Sequence, residues 1–187
     1  MPESKDEEAR QNRFRSLYES HYADVWAFAV RRLASVLEVP DVVADVFTVA
    51  WRRLDRVPES PGDLLWLYGV AQRVLANQRR SSSRRSRLVR RLGEQPQALP
   101  VDHPKPTTGD LMMLAIEELR TGERDALRLV VWEGLTHAEA ASVLGCSANA
   151  VAIRVHRAKG HLREALAANG IESSSEPIIS PSRRTRS

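Results

Sequence analysis

The side chains best suited to chemistry in this sequence are the arginines of one segment in its first half. Between Leu64 and Leu92 there are eight arginines and no acidic residue, a charge of +8 over 29 residues. Guanidinium groups at this density are typical of a surface for polyanions, because each neutralised phosphate releases condensed counterions. Trp66, Tyr68 and Asn77 precede the densest part of the segment. The aromatic and apolar residues that lead into the arginines favour the polyanion surface, whereas a merely solvated basic run is the alternative.

A second basic cluster follows a helix-turn-helix pattern near the end of the sequence. The pattern predicts helices over 137–144 and 148–168 with Gly145 in the turn, and Thr136 lies at capping-box spacing from Glu139. Such an arrangement places its second helix in the DNA major groove, whereas a plain helical hairpin is the alternative. Three small or apolar residues of the first helix are expected to face inward: Ala138, Ala141 and Leu144.

Enzymatic and metal sites are not indicated. His137 and Glu139 have the His-x-Glu spacing of zinc deaminases, but the Pro-Cys-x-x-Cys motif that accompanies it is missing. The single Cys146 excludes a disulfide framework and a cysteine-cluster metal site within one chain. We interpret Cys146 as a small buried thiol, with redox sensing as the alternative. The sequence therefore predicts a protein without catalytic residues, metal or cofactor.

The elements that must position these residues are all predicted to be helices. Apolar residues recur at three- and four-residue steps before and after a segment rich in proline, and Asp41 is expected to cap the second helix. Gly122 is expected to break a helix in the second half. We therefore expect an all-α protein with two small helical domains, divided as follows: residues 10–92, a flexible Pro-containing linker over 93–109, residues 110–168, and a disordered tail over 169–187.

Composition is consistent with this division. The 187 residues are 42% hydrophobic and 28% charged, with a formal net charge of +4, as in globular proteins with apolar cores. No run approaches the 18 apolar residues of a transmembrane helix, and the acidic N-terminus does not resemble a secretory signal. The sequence therefore predicts a cytoplasmic protein without membrane insertion.

Several motifs, in order along the chain, resemble those of one known family. They occupy residues 14–18 (FRSLY), 41–47 (DVVADVF), 50–51 (AW), 66–71 (WLYGVA), 124–127 (RDAL), 132–141 (WEGLTHAEAA) and 154–158 (RVHRA). Together they resemble a bacterial RNA polymerase sigma factor of the extracytoplasmic-function (ECF) group of the sigma-70 family. The resemblance implies two helical domains: sigma domain 2 binds core RNA polymerase and the −10 promoter element, and helix-turn-helix sigma domain 4 reads the −35 element. It also implies an anti-sigma factor as a further partner.

The resemblance assigns roles to particular residues. Polymerase binding falls on Asp41, Asp45 and Trp51. Contacts with −10 DNA fall on Trp66, Arg73, Asn77, Arg79, Arg80, Arg84 and Arg85. Contacts with −35 DNA fall on Asn149, Ala152, Ile153, Arg154, His156, Arg157 and Lys159, with Arg154 and Lys159 on phosphate.

The chain departs from the family pattern at several of these positions. Ala44 and Asp45 stand where many members have Gln-Glu, and Arg73 stands where many have Asn. In the recognition helix, Ala152 lacks a basic group and Ile153 lacks a hydroxyl. We therefore expect altered −10 and −35 preferences, with His156 and Arg157 carrying more of the −35 readout.

Other interpretations of the same residues remain open at this point. Asp41 is equally explained as an N-cap, while Phe47, Val43 and Tyr68 are expected in the core. The whole chain could instead be a conventional helix-turn-helix regulator whose first helices sense a ligand or dimerise. A third interpretation is a helical adaptor that binds no DNA.

Overall fold

The computed structural model describes residues 3–91 and 107–168, with side chains over 6–81 and 107–168. These residues form helices and contain no strand, which confirms the all-α prediction. They fall into two compact units, one on each side of the gap at 92–106. The helices are α1 (Glu3–Val30), α2 (Val39–Arg52), α3 (Gly62–Arg91), α4 (Thr108–Glu118), α5 (Thr121–Val131), α6 (His137–Leu144) and α7 (Ala148–Ala168).

The N-terminal unit is built from α1, α2 and α3, each packed against the other two. Phe28 and Leu67 are fully buried at its centre, and the Phe28 ring stacks on Tyr68 with centroids 4.6 Å apart. Phe47 and Val43 are also buried. The predictions that Tyr68, Phe47 and Val43 belong to the core are therefore confirmed.

The helix bounds in this unit differ from the expected ones. The first helix begins before residue 11, since 3–10 consist mostly of good helix formers, and it ends at Val30 rather than 35. Ser35 instead caps a short 3-10 helix, Val36–Glu38, by accepting a hydrogen bond from the Leu37 amide at 3.3 Å. The prediction that Asp41 caps α2 is wrong. Pro40 occupies the first turn, where its missing N–H costs nothing, so Asp41 already lies inside the helix.

The C-terminal unit packs α4, α5 and α6 against the long helix α7. Leu129 and Val151 are fully buried between these helices. The predicted bounds of α6 and the predicted start of α7 are confirmed, and Gly145 joins the two helices with a left-handed φ of 64°. The predicted capping box is also present, since the Thr136 hydroxyl accepts from the Glu139 amide and the Glu139 carboxylate accepts from the Thr136 amide.

Two expectations for this unit are wrong. Gly122 does not break a helix, because α4 ends at Glu118 and extended backbone at Leu119 and Arg120 separates it from α5, whose first turn contains Gly122. Ala138 is exposed rather than inward, because it lies on the outer side of the first turn of α6.

A second capping box, not anticipated, begins α4. The Thr107 hydroxyl and backbone amide both donate to the Asp110 carboxylate, and these hydrogen bonds hold the pKa of Asp110 below its usual value.

Residues 92–106 and 169–187 lie outside the described part of the chain, so most of the expected linker and the whole expected tail do too. The exact domain bounds therefore stay a prediction. Across the described helices, none has the length and apolar character needed to span a bilayer.

Candidate protein and nucleic-acid interfaces

Helix α2 presents one apolar and one polar face. Val42 and Val46 are buried toward α1 and α3, while Asp41 and Asp45 are exposed. Residues four apart lie above one another on a helix, so the two carboxylates share one face. Within the described part of the N-terminal unit neither carboxylate forms an ion pair with a basic side chain. We call this surface the acidic face of α2.

Trp51 does not lie on the acidic face. Its ring is half-buried against α1, 5.2 Å from the Phe14 ring and 5.0 Å beneath the Arg10 guanidinium. Arg10 also donates to the Trp51 carbonyl oxygen at 2.8 Å. Trp51 lines a shallow surface cavity of about 530 Å³ together with Phe14, Gln11, Arg15 and Tyr18. The expected polymerase-binding set is therefore divided between two surfaces.

The residues expected to bind −10 DNA are also divided. Arg73, Asn77 and Arg80 are exposed at steps of four and three residues, so they form one row along α3. Trp66 is half-buried seven residues before Arg73, on the same side of the helix. Arg79 is half-buried on another side of α3 and has an interaction partner within the fold. The side chains of two further expected residues, Arg84 and Arg85, lie outside the described part.

Hydrogen bonds fix the orientation of two amides on α3. Arg80 Nη2 donates to Asn77 Oδ1 at 2.6 Å, which leaves the NH₂ group of Asn77 available as a donor toward solvent. Gln78 Nε2 donates to Glu38 Oε2 at 3.3 Å and thereby ties α3 to the start of α2. Asn77 therefore presents a donor toward solvent, whereas Gln78 has a partner within the fold.

The residues of the recognition helix α7 that are expected to bind −35 DNA are not all equally exposed. One side is buried, with Val151, Val155, Ala158 and Leu162 in the core. The opposite side exposes Ile153, His156 and Arg157, with Asn149 one turn earlier and Lys159 exposed at its edge. Ala152 is half-buried. These positions suit contact with a DNA groove.

Arg154 points back into the unit. Its Nη1 donates to Cys146 Sγ at 3.5 Å, and its side chain lies against Gly122 at the start of α5. The Cys146 thiol is free and half-buried, so it is less enclosed than expected. Arg154 thus connects the helix-turn-helix turn with α5. Its expected contact with phosphate stays a prediction.

Some contacts within the two units join residues that are far apart in the sequence, so no local pattern predicts them. Arg13 donates to the Val57 carbonyl oxygen at 2.7 Å, across 44 positions of sequence. His161 on α7 contacts the buried Glu123 carboxylate at 3.1 Å, across 38 positions. Only long-range contacts reveal such partners. Over the described residues, no group of three potential ligands is placed to hold a metal ion.

Comparison with known proteins agrees with the motifs. The sequence matches the family model Sigma-70 region 2 over residues 17–85 and the model Sigma-70, region 4 over residues 110–162. It is 33% identical over 143 residues to the ECF RNA polymerase sigma factor SigC of Mycobacterium tuberculosis, covering 74% of this chain and 75% of that protein. The probable RNA polymerase sigma-C factor of Mycobacterium bovis matches to the same extent.

Solved structures show the same fold. The sigma factor RpoE of Bartonella quintana, in complex with the anti-sigma factor NepR, superposes with a TM-score of 0.66 at 21% identity, covering 83% of this chain and 98% of that one. CnrH, in complex with the cytosolic domain of CnrY, superposes with a TM-score of 0.61 at 26% identity, covering 85% and 90%. Together with the family matches, these findings show that the chain belongs to the sigma-70 family and is an alternative sigma factor of the ECF type, which directs promoter-specific transcription initiation.

Proposed function

We propose that this sigma factor uses three separate exposed surfaces to bind its three partners. The acidic face of α2 binds core RNA polymerase, the row Arg73–Asn77–Arg80 on α3 binds the −10 element, and the exposed side of α7 reads the −35 element. The observation that carries the proposal is the exposure of Asp41 and Asp45 on one face. Two carboxylates without an ion-pair partner in the described N-terminal unit suit a basic surface on another protein.

The −10 assignment rests on the chemistry of the α3 row. Arg73 and Arg80 supply positive charge for the strand, and Trp66 offers a partly exposed ring on which an unpaired base can stack. The Asn77 NH₂ group, oriented by Arg80, donates toward acceptor atoms on a base edge. Arg79 contributes through the fold and the general positive charge rather than through this row.

The −35 assignment rests on the exposed side of α7. The Arg157 guanidinium can donate to the two acceptor atoms of guanine in the major groove, and the Ile153 side chain can make an apolar contact with the methyl group of thymine. His156 adds a hydrogen-bonding group beside them, while Lys159 at the edge suits a phosphate. Arg154 acts mainly by holding the turn at Cys146 against α5.

The partners follow from the same assignment. The chain acts in the cytoplasm with core RNA polymerase and promoter DNA, and it carries out no catalysis itself. RpoE is seen in complex with the anti-sigma factor NepR, and CnrH with the cytosolic domain of CnrY. We extend this to the present chain and expect an anti-sigma factor that competes for its polymerase-binding surface.

Charge reversal tests the polymerase assignment. The double variant Asp41→Arg/Asp45→Arg is expected to lose co-elution with core polymerase, because two attractive contacts become repulsive. Its helix content is expected to persist, since a charge in the first turn of a helix contributes only about 0.3–1 kcal/mol. The matched control Glu8→Arg/Glu19→Arg makes the same charge change on exposed positions of α1 and is expected to co-elute normally. Normal co-elution of the Asp41/Asp45 variant would refute the assignment.

A further inference from the structure

Exposed apolar side chains are concentrated in the segment that precedes α2. Of the four exposed large hydrophobic residues described in the N-terminal unit, three fall between residues 30 and 37. Val36 is 64% exposed and Leu37 is 88% exposed, the highest value among them. Single exposed apolar residues are ordinary, so the interest of Leu37 lies in its place beside the exposed carboxylates of α2.

Leu37 continues the acidic face of α2. The 3-10 helix Val36–Glu38 runs directly into α2, and Leu37 precedes Asp41 by four residues, about one helical turn. The burial pattern agrees, since Leu37, Asp41 and Asp45 are exposed at four-residue steps whereas Val39 is fully buried. Val36 is one position out of this register and belongs to a neighbouring exposed row with Pro40 and Ala44.

Hydrogen bonds and a buried neighbour order the backbone around Leu37. Its amide donates to Ser35 Oγ at 3.3 Å, and the following Glu38 accepts from Gln78 on α3. Val39, two residues on, is anchored in the core. Because this backbone is already ordered, binding through Leu37 costs less backbone conformational entropy than binding through a flexible segment, which favours affinity.

We propose that Leu37 is an apolar anchor of the polymerase-binding surface and inserts into an apolar recess bordered by basic side chains on core RNA polymerase. The inference rests on the proposed docking role of the acidic face and extends it by one turn. The chemistry of the recess follows from the row itself, which presents one leucine beside two carboxylates. Interfaces commonly combine a central buried apolar anchor with polar contacts around it.

Shortening the Leu37 side chain measures how much it contributes to the affinity for core polymerase. Leu37→Ser is expected to weaken the binding of the full chain to core polymerase, measured without DNA, by about ten-fold or more, the loss typical of one buried leucine side chain. Leu37→Met keeps an apolar chain of similar volume and is expected to restore most of the affinity. Val36→Ser, an exposed neighbour outside the row, is the matched control and is expected to bind normally.

The outcomes separate this inference from the docking proposal. If Leu37→Ser binds core polymerase normally while Asp41→Arg/Asp45→Arg does not, the anchor is wrong and the acidic face stands. If both variants bind normally, the docking surface lies elsewhere and the two proposals fail together. Equal losses for Val36→Ser and Leu37→Ser would overturn the anchor, and so would a defect of Leu37→Ser confined to promoter opening, which would place Leu37 against DNA.

Discussion

Replacement of Gly145 by alanine tests whether the turn of the helix-turn-helix works as described. Gly145 ends α6 with φ 64° and ψ 40°, a left-handed conformation, and a Cβ built there would meet nothing within 4 Å. The cost of Gly145→Ala is therefore purely a backbone cost. A non-glycine residue in this conformation costs about 1–2 kcal/mol, so the C-terminal unit should lose about that much stability.

Gly160 provides a control in the same unit with the opposite expected sign. It lies inside α7 without a positive φ, and a Cβ there would also meet nothing within 4 Å. Alanine is favoured over glycine in a helix by about 0.8–1.0 kcal/mol. Gly160→Ala should therefore stabilise the unit, although both changes add the same methyl group.

Hydrogen exchange of the α6 and α7 amides in the full chain measures both effects locally. Gly145→Ala is expected to raise the exchange rates about 5–30-fold, as one to two kcal/mol implies, and Gly160→Ala to lower them. Unchanged exchange in Gly145→Ala would mean that the turn does not need a left-handed residue. If the exchange rates of both variants changed in the same direction, backbone strain at Gly145 and helix propensity at Gly160 could not be their respective causes.

The remaining predictions concern DNA readout. Arg157→Ala is expected to cost about 1–3 kcal/mol on the preferred −35 element and much less on a scrambled one, measured by transcription from a library randomised across that element; equal weakening on every sequence would make Arg157 a phosphate contact. Arg80→Ala is expected to weaken promoter opening and to relax the preference at the base that Asn77 reads, whereas Arg79→Ala should leave that preference unchanged. Identical base preferences for the two variants on a −10 library would contradict the role of the α3 row.

Local signals allowed the most accurate structural predictions. The bounds of α6 and the start of α7 follow from the Thr136 capping box and from Gly145, since both act within a few residues. The prediction that Gly122 breaks a helix was wrong because its surroundings are not set by local signals. Its place in α5 follows from the extended backbone at Leu119 and Arg120, which ends α4 earlier than expected and which no local pattern reveals.

The candidate sites were likewise predictable where they depend on one helix and not where they depend on contacts between helices. The exposure of Asp41 and Asp45 on one face follows from helical spacing and the apolar residues between them. By contrast, Trp51 faces α1 because Arg10 and Phe14, distant in sequence, pack against it. Spacing along one helix thus predicts which residues share a face, whereas the neighbour that each face meets depends on the packing of the whole unit.

In vitro transcription tests the central claim most directly. Core RNA polymerase, this chain and the two together are each supplied with a library of genomic promoter fragments, and run-off transcripts are sequenced. The account predicts discrete transcripts only when both proteins are present, with weak binding of duplex DNA by the chain alone. Tight binding of the chain to particular duplex promoters without polymerase, together with no new start sites when polymerase is added, would contradict it and favour a conventional helix-turn-helix regulator.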